Sequence, residues 1–287
     1  MHIKHLLAIG VATIGTAALP LRAAEATRMS AFALPSMTEK VTAELVVRET
    51  GPLTREWLIA FTDKATGQPI THFGEEFHVL ATDSDFSNFA HEHAGKLGLD
   101  GRFRFALRFP TPGTYHVYAD AVPMGLGQQV IRFEVPVDIA TGPTAPQQTP
   151  VGAAKGSDGA YTVKLDASAL RVGTASMMAL TILKDGKLAM DLGLCLGVPA
   201  HAVFVSVDDL GHVHAHAMAA DAPKGGHASH GSHDNPKAAI PAKLMLHATP
   251  PRAGRYALWI QFNGGGQVRT VPFVVTVPAT VTSHDSR

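Results

Sequence analysis

An internal repeat is the feature that most restricts how this chain can fold. Residues 75–94, EEFHVLATDSDFSNFAHEHA, align without a gap on residues 198–217, VPAHAVFVSVDDLGHVHAHA, at an offset of 123. Residues 112–125, PGTYHVYADAVPMG, align on residues 253–266, AGRYALWIQFNGGG, at an offset of 141. We therefore expect both halves to share one fold, and the 18 extra residues of the second half to lie in a loop insertion at about 218–239.

Short runs of alternating apolar and polar residues predict β-strands in both halves. Seven such runs lie between residues 41 and 137, and seven more lie between residues 160 and 277. Seven short strands at regular spacing are typical of an immunoglobulin-like β-sandwich. The sequence thus predicts an all-β chain with two tandem immunoglobulin-like β-sandwich domains, at residues 38–137 and 159–278.

The segments outside the two predicted domains have distinct compositions. Residues 138–158 are rich in Pro, Gly and Thr and predict a flexible linker, while residues 279–287 predict a disordered tail. Residues 1–24 combine Lys4, an apolar run over 6–19 and small residues at the end, which predicts a cleaved signal peptide. We therefore expect a periplasmic or secreted protein with no membrane span in the mature chain, because no later stretch is apolar over 18 residues.

The charge and residue counts exclude some classes of function. Lys+Arg and Asp+Glu both number 24, and this balance argues against an electrostatic nucleic-acid binder. A single Cys excludes an intramolecular disulfide. Histidine is unusually frequent, with 16 residues against four Tyr and two Trp. Because histidine is the commonest metal ligand, the arrangement of these residues is the main functional question.

A histidine motif, H-x12-H-x-H, occurs once in each half. Histidines two apart on a strand point to one face, and a hairpin centred on residues 83–86 would place His78 opposite His91 with His93 on the diagonal. Three imidazoles around one point suit Zn²⁺ or Cu²⁺. The alternative is that these histidines form structural hydrogen bonds at a turn. We predict a tri-histidine metal site in each domain, with the ligands His78, His91 and His93 in the first and His201, His214 and His216 in the second.

Four further histidines are secondary candidates. His212 lies two residues before His214 and is either a reserve ligand or an exposed residue. The loop insertion carries the tract HASHGSH, with His227, His230 and His233. Its Gly, Ser and Ala residues cannot build a core, so the tract is expected to be mobile and to capture metal loosely, or to be a polar loop with accidental histidines.

These residues also carry a family resemblance. The runs FHVLATDSDFSNFAHEH and GRFRFALRFPTPGTYHVYADAVP resemble bacterial exported immunoglobulin-like domains of the YtkA-like and FixH-like, heavy-metal-associated kind. The resemblance covers residues 70–137 well and residues 198–277 more weakly, and Gln261 stands in the second half where Asp120 stands in the first. It implies an immunoglobulin-like fold and a link to copper or other metal handling. The pattern's positions are occupied by His78, Asp85, His91, His93 and Asp120.

Together these patterns predict an exported metal-binding protein without catalysis: a copper or zinc chaperone, buffer or resistance component. The expected partners are metal ions and another periplasmic or envelope protein. One alternative is a non-catalytic immunoglobulin-like scaffold or adhesion protein that binds another exported protein. The second is a metal-dependent enzyme with an open tri-histidine site, although the sequence contains no G-x-S-x-G, Walker, H-E-x-x-H or C-x-x-C motif.

Overall fold

The structure is a computed structural model, and it describes residues 26–35, 37–74, 77–138, 155–220 and 240–279. All regular secondary structure in these ranges is β, which confirms the predicted all-β class. No helix in the described ranges is long and apolar enough to cross a membrane. The predicted signal peptide, most of the predicted linker, the HASHGSH tract and the tail from residue 280 lie outside the described residues.

The first half forms two sheets that pack around one core. A four-stranded sheet has the order β1-β3-β4-β7, and a five-stranded sheet has the order β2-β9-β8-β5-β6. Inward-facing residues of both sheets form the core, which includes Trp57, Phe61 and Phe133. The strands are β1 (Thr27–Met29), β2 (Ala31–Phe32), β3 (Val41–Gly51), β4 (Thr54–Asp63), β5 (His78–Asp83), β6 (Phe89–His93), β7 (Phe103–Arg108), β8 (Gly113–Ala121) and β9 (Gln129–Val137).

The second half is built from one continuous ten-stranded sheet that surrounds its own core. Its main order is β10-β11-β12-β17-β16-β15-β18-β14, with β13 paired to β12 and β19 paired to β18. The strands are β10 (Lys155–Asp158), β11 (Tyr161–Asp166), β12 (Ser176–Lys184), β13 (Lys187–Leu188), β14 (Leu192–Gly193), β15 (Ala200–Ser206), β16 (His212–Ala219), β17 (Lys243–Ala248), β18 (Gly254–Gly264) and β19 (Gln267–Val277). The sheet is continuous because β16 is long enough for Ala217–Ala219 to pair with β17.

The last four residues of the predicted flexible linker form the strand β10. It pairs with β11 through a hairpin in which Asp158 stands opposite Tyr161. The two-residue loop begins with Gly159 at a φ of 58°, a conformation that glycine adopts without strain. The composition of the segment predicted a linker, but the Asp-Gly dipeptide at its end was the local signal for this hairpin.

Both halves contain a tyrosine corner at equivalent positions of the repeat. The hydroxyl of Tyr115 donates to the carbonyl oxygen of Thr111 at 3.0 Å, and that of Tyr256 donates to the carbonyl oxygen of Arg252 at 3.0 Å. A tyrosine bonded back to the chain a few residues upstream is a hallmark of immunoglobulin-like sandwiches. The shared corner supports the prediction that the two halves repeat one fold.

The strands β5 and β15 are buried along their whole length because both of their faces are covered. Their inner faces belong to the core of their own half. Their outer faces meet the other half in a third apolar cluster, which consists of Leu34, Leu80, Phe86, Tyr118, Val130, Val203, Val205, Ala257 and Trp259. The histidines share these outer faces, so the fold brings the two repeats together at a common boundary.

Candidate metal centre

The hairpin of the first half differs in register from the predicted one. His78 lies opposite His93, and His91 lies opposite Leu80, a shift of two residues from the expected pairing. The turn is longer than predicted because the Asp83 carboxylate accepts a hydrogen bond from the backbone N–H of Asn88 at 3.0 Å. A shift of two residues leaves every side chain on its original face, so the histidines still converge.

The second half repeats this hairpin in the same register. His201 lies opposite His216, and Val203 lies opposite His214. The ungapped alignment of residues 75–94 on 198–217 therefore corresponds to equivalent β-ladders. Each hairpin places its three histidines on the face that meets the other half.

The two predicted sites meet in one buried group, which we call the four-histidine group. It consists of His78 and His91 from the first half and His201 and His214 from the second. Each residue offers one ring nitrogen, and the four nitrogens lie within 4.8 Å of one another. In each half one pair is in direct contact: His78 Nδ1 is 3.0 Å from His91 Nε2, and His201 Nδ1 is 3.0 Å from His214 Nε2. The structure thus shows one cluster that could hold a metal ion, with two members from each half.

The third histidine of each motif flanks this group. The ring centroid of His93 lies 4.2 Å from that of His78, and the ring centroid of His216 lies 4.8 Å from that of His201. Both residues are half-buried and stand beside the four nitrogens that converge. The structure therefore places His93 and His216 next to the group without making them part of it.

The four secondary histidine candidates include one residue in the described part of the chain, His212. His212 is buried and stacks on Tyr118, with ring centroids 4.9 Å apart. Within the described part of the chain, neither of its ring nitrogens has a hydrogen-bond partner. It belongs to the boundary between the halves and lies outside the four-histidine group. His227, His230 and His233 lie outside the described residues.

Each imidazole of the four-histidine group has an inner nitrogen, which points to the other three residues, and an outer nitrogen, which points away from them. Three of the outer nitrogens face hydrogen-bond acceptors. His91 Nδ1 lies 3.0 Å from Gln261 Oε1, His214 Nδ1 lies 3.1 Å from Asp120 Oδ2, and His201 Nε2 lies 3.0 Å from the carbonyl oxygen of Cys195. Each acceptor requires an N–H on the nitrogen that faces it, which leaves a lone pair on the inner nitrogen of the neutral ring. This is the arrangement by which proteins orient histidine ligands toward a metal.

Each half also joins its two histidines through their inner nitrogens. In the second half, His201 Nδ1 lies 3.0 Å from His214 Nε2, and the two form a hydrogen bond when one of them carries a proton. In the first half, His78 Nδ1 can donate a proton to His91 Nε2. A metal ion in the group would compete with the proton for these facing nitrogens.

Burial disfavours the protonated form of three of the four histidines. Desolvation lowers the pKa of His78 and of His91 far below the usual range, and the neighbouring imidazoles lower both further. For His201, burial and then the neighbouring His214 and His216 lower the pKa to about 2. Burial has the opposite effect on the Asp120 carboxyl, whose pKa it raises. His78, His91 and His201 are thus neutral imidazoles near pH 7, the form that binds metal.

Sequence reasoning identified the histidines but missed the groups that orient them. The resemblance marked Asp120 for its own half, yet Asp120 bonds to His214 of the other half. Gln261 was noted only as the residue that replaces the aspartate. The signal that could have identified both is their equivalence at an offset of 141 in the repeat. The carbonyl group of Cys195 carries no sequence signal, since any residue supplies one.

A family model described as "Domain of unknown function (DUF8832)" matches residues 154–279, which is the second half of the chain. No curated protein matches the chain. Among solved structures, the crystal structure of the FN1–FN3 domains of chicken CNTN1 aligns at 9% identity and a TM-score of 0.17. That alignment covers 88% of this chain and 99% of the chicken chain.

Proposed function

We propose that this chain is an exported metal-binding protein that holds one zinc or copper ion in the four-histidine group between its two halves. The observation that carries the proposal is the convergence of four ring nitrogens, two from each half, within 4.8 Å of one another. One ion among them would be bound by both halves. Neutral imidazole is a ligand that suits both Zn²⁺ and copper.

The number of converging ligands favours a holding role over catalysis. Four imidazoles complete the tetrahedral coordination that Zn²⁺ adopts in closed sites, whereas a catalytic zinc keeps one position for water or substrate. Three of the four residues are buried, which limits the access of a substrate. A closed site suits a chaperone, buffer or resistance component.

The sequence supports an exported location. The predicted signal peptide at residues 1–24 would direct the chain to the periplasm or the exterior. The resemblance to YtkA-like and FixH-like domains likewise favours metal handling outside the cytoplasm. In that setting, the chain would take up an ion directly or receive it from another envelope protein.

The test is a metal analysis of the mature chain purified without an affinity tag, followed by titration with Zn²⁺ and Cu²⁺. We expect about one tightly bound ion per chain, because the two motifs share a single group. A value near two would instead support a separate tri-histidine site in each half. The absence of tight uptake of either ion would contradict the proposal and favour a scaffold function.

A further inference from the structure

The two residues that cross between the halves are equivalent in position but not in charge. Asp120 lies opposite His78 on β5, and Gln261 lies opposite His201 on β15. Each reaches the other half: Asp120 accepts from His214 at 3.1 Å, and Gln261 accepts from His91 at 3.0 Å. The two contacts are equivalent in the repeat, but only one of the two acceptor side chains, that of Asp120, is an acid.

Asp120 is held firmly in a buried position. Its side chain is 3% exposed, and the Gln128 amide Nε2 donates to both carboxylate oxygens, at 2.9 and 3.0 Å. Burying a carboxylate is costly unless it is hydrogen-bonded or paired with a positive charge. The Gln128 amide and the His214 imidazole both bond to Asp120, and a bound ion would add a positive charge on the far side of His214.

Gln261 is fixed equally well as a neutral counterpart. Its amide Nε2 donates to the hydroxyl oxygen of Thr270 at 2.9 Å, which directs its carbonyl oxygen Oε1 toward His91. The Thr270 hydroxyl can reverse its role and donate to a carboxylate at this position. The chain therefore offers a matched position at which a negative charge can be added.

We propose that Asp120 is a positioning residue that makes the four-histidine group select for the charge of its ion. This inference rests on the proposed function. The Coulomb energy between a carboxylate and an ion is proportional to the charge of the ion. The contribution of Asp120 to the logarithm of the affinity should therefore be about twice as large for a divalent ion as for a monovalent one. A carboxylate that only orients His214 would affect both ions equally.

The test compares Zn²⁺ with Ag⁺, two ions that do not change redox state during the measurement. Affinities for both are measured at one pH for the wild type, Asp120→Asn, Gln261→Glu and the double variant. We expect Asp120→Asn to weaken Zn²⁺ binding by about 10- to 100-fold and Ag⁺ binding by about 3- to 10-fold. Gln261→Glu should strengthen binding with the same dependence on charge. The double variant should recover most of the wild-type ratio of Zn²⁺ to Ag⁺ affinity, because it returns one carboxylate to the group.

The outcomes separate charge selection from a purely structural role of Asp120. Equal losses for both ions in Asp120→Asn, or no recovery in the double variant, would overturn charge selection and leave Asp120 a purely structural role. If Asp120→Asn does not fold by circular dichroism, Gln261→Glu alone still decides, since an unchanged Zn²⁺ to Ag⁺ ratio overturns the inference. A wild-type chain that binds neither ion would overturn the proposed function itself, and this inference with it.

Discussion

Phe89 and Trp259 stack across the boundary between the two halves, with ring centroids 4.7 Å apart and ring planes 11° from parallel. Phe89 lies two residues before His91 on β6, and Trp259 lies two residues before Gln261 on β18. Residues two apart on a strand share a face. The aromatic stack and the contact between His91 and Gln261 are therefore neighbouring parts of one packed surface.

Removing this stack should weaken metal binding without removing a ligand. Replacing a buried aromatic residue with alanine costs about 3–5 kcal/mol. Because Trp259 is 2% exposed and packs against the other half, the Trp259→Ala variant should lose much of the docking energy that holds His91 beside His201. We expect at least about 10-fold weaker Zn²⁺ binding with an unchanged β-type circular dichroism spectrum.

The control for this variant is Leu99→Ala, since Leu99 is fully exposed and should contribute little to stability or binding. Equal Zn²⁺ affinities for Trp259→Ala and the wild type would show that docking of the halves does not support the site.

Single histidine variants should separate the group members from their neighbours. His91→Ala and His214→Ala each remove one of the four converging nitrogens and should weaken Zn²⁺ binding by about 100-fold or more. His93→Ala should have a smaller effect because His93 flanks the group. Competition titration with a chelator of known affinity provides the measurement, and the exposed His247 gives the control variant His247→Ala.

The opposite ranking of Zn²⁺ affinities among these variants would support a separate tri-histidine site in each half. If His93→Ala were as damaging as His91→Ala while His214→Ala left one tight ion in place, the halves would bind metal separately.

The alternation in the sequence predicted strands and the sheet face on which each side chain lies. Alternation assigned His91 and His93 to one face with Phe89, and the structure has all three there. It was a poorer guide to the turn, because the hydrogen bond between Asp83 and Asn88 depends on loop geometry that the spacing does not specify. The register therefore differed by two residues, although the faces did not.

The meeting of the two halves was not predictable from the pattern. Leu80, Val203 and Trp259 have the composition of ordinary core residues, and alternation does not say which partner covers a given face. The signal that was present is the apolar character of both faces of β5 and β15, which is typical of strands covered on each side. The Pro- and Gly-rich segment between the halves suggested independent domains, and so two sites were expected in place of one shared group.

The stability of the metal-free chain should fall as the pH is lowered from about 7 to 5. Burial lowers the pKa of His78, His91 and His201 from 6.5 in the folded chain, so below that pH the unfolded chain binds protons that the folded chain does not. Each such histidine contributes a slope of up to about 1.4 kcal/mol per pH unit. The raised pKa of Asp120 acts in the opposite direction above 3.8, where the folded chain retains a proton that the unfolded chain has lost.

Urea unfolding at several pH values measures this slope. The stabilising effect of neutral imidazoles is fully present above 6.5 and is lost as the pH falls toward the lowered pKa values. The double variant His78→Gln/His201→Gln should show a flatter profile than the wild type, and the Leu99→Ala control, which removes no titratable group, should not. A wild-type free energy of unfolding that is constant between pH 7 and 5 would mean that these histidines are not held neutral.

The HASHGSH tract should contribute weak binding only. The four ligands lie on β5, β6, β15 and β16, all of which precede residue 221. The N–H of Ala220 donates to the carbonyl oxygen of Lys243, so the chain ends that flank residues 221–239 are close together, and a shorter loop can join them. Deleting residues 225–235 should therefore leave one tight Zn²⁺ site and reduce the weak binding seen at excess metal.

Replacing His227, His230 and His233 with serine is the matched control, because it removes the imidazoles at constant loop length. If the deletion abolished tight binding while His91→Ala/His214→Ala retained it, the tract would be the metal-binding element and the four-histidine group a structural one.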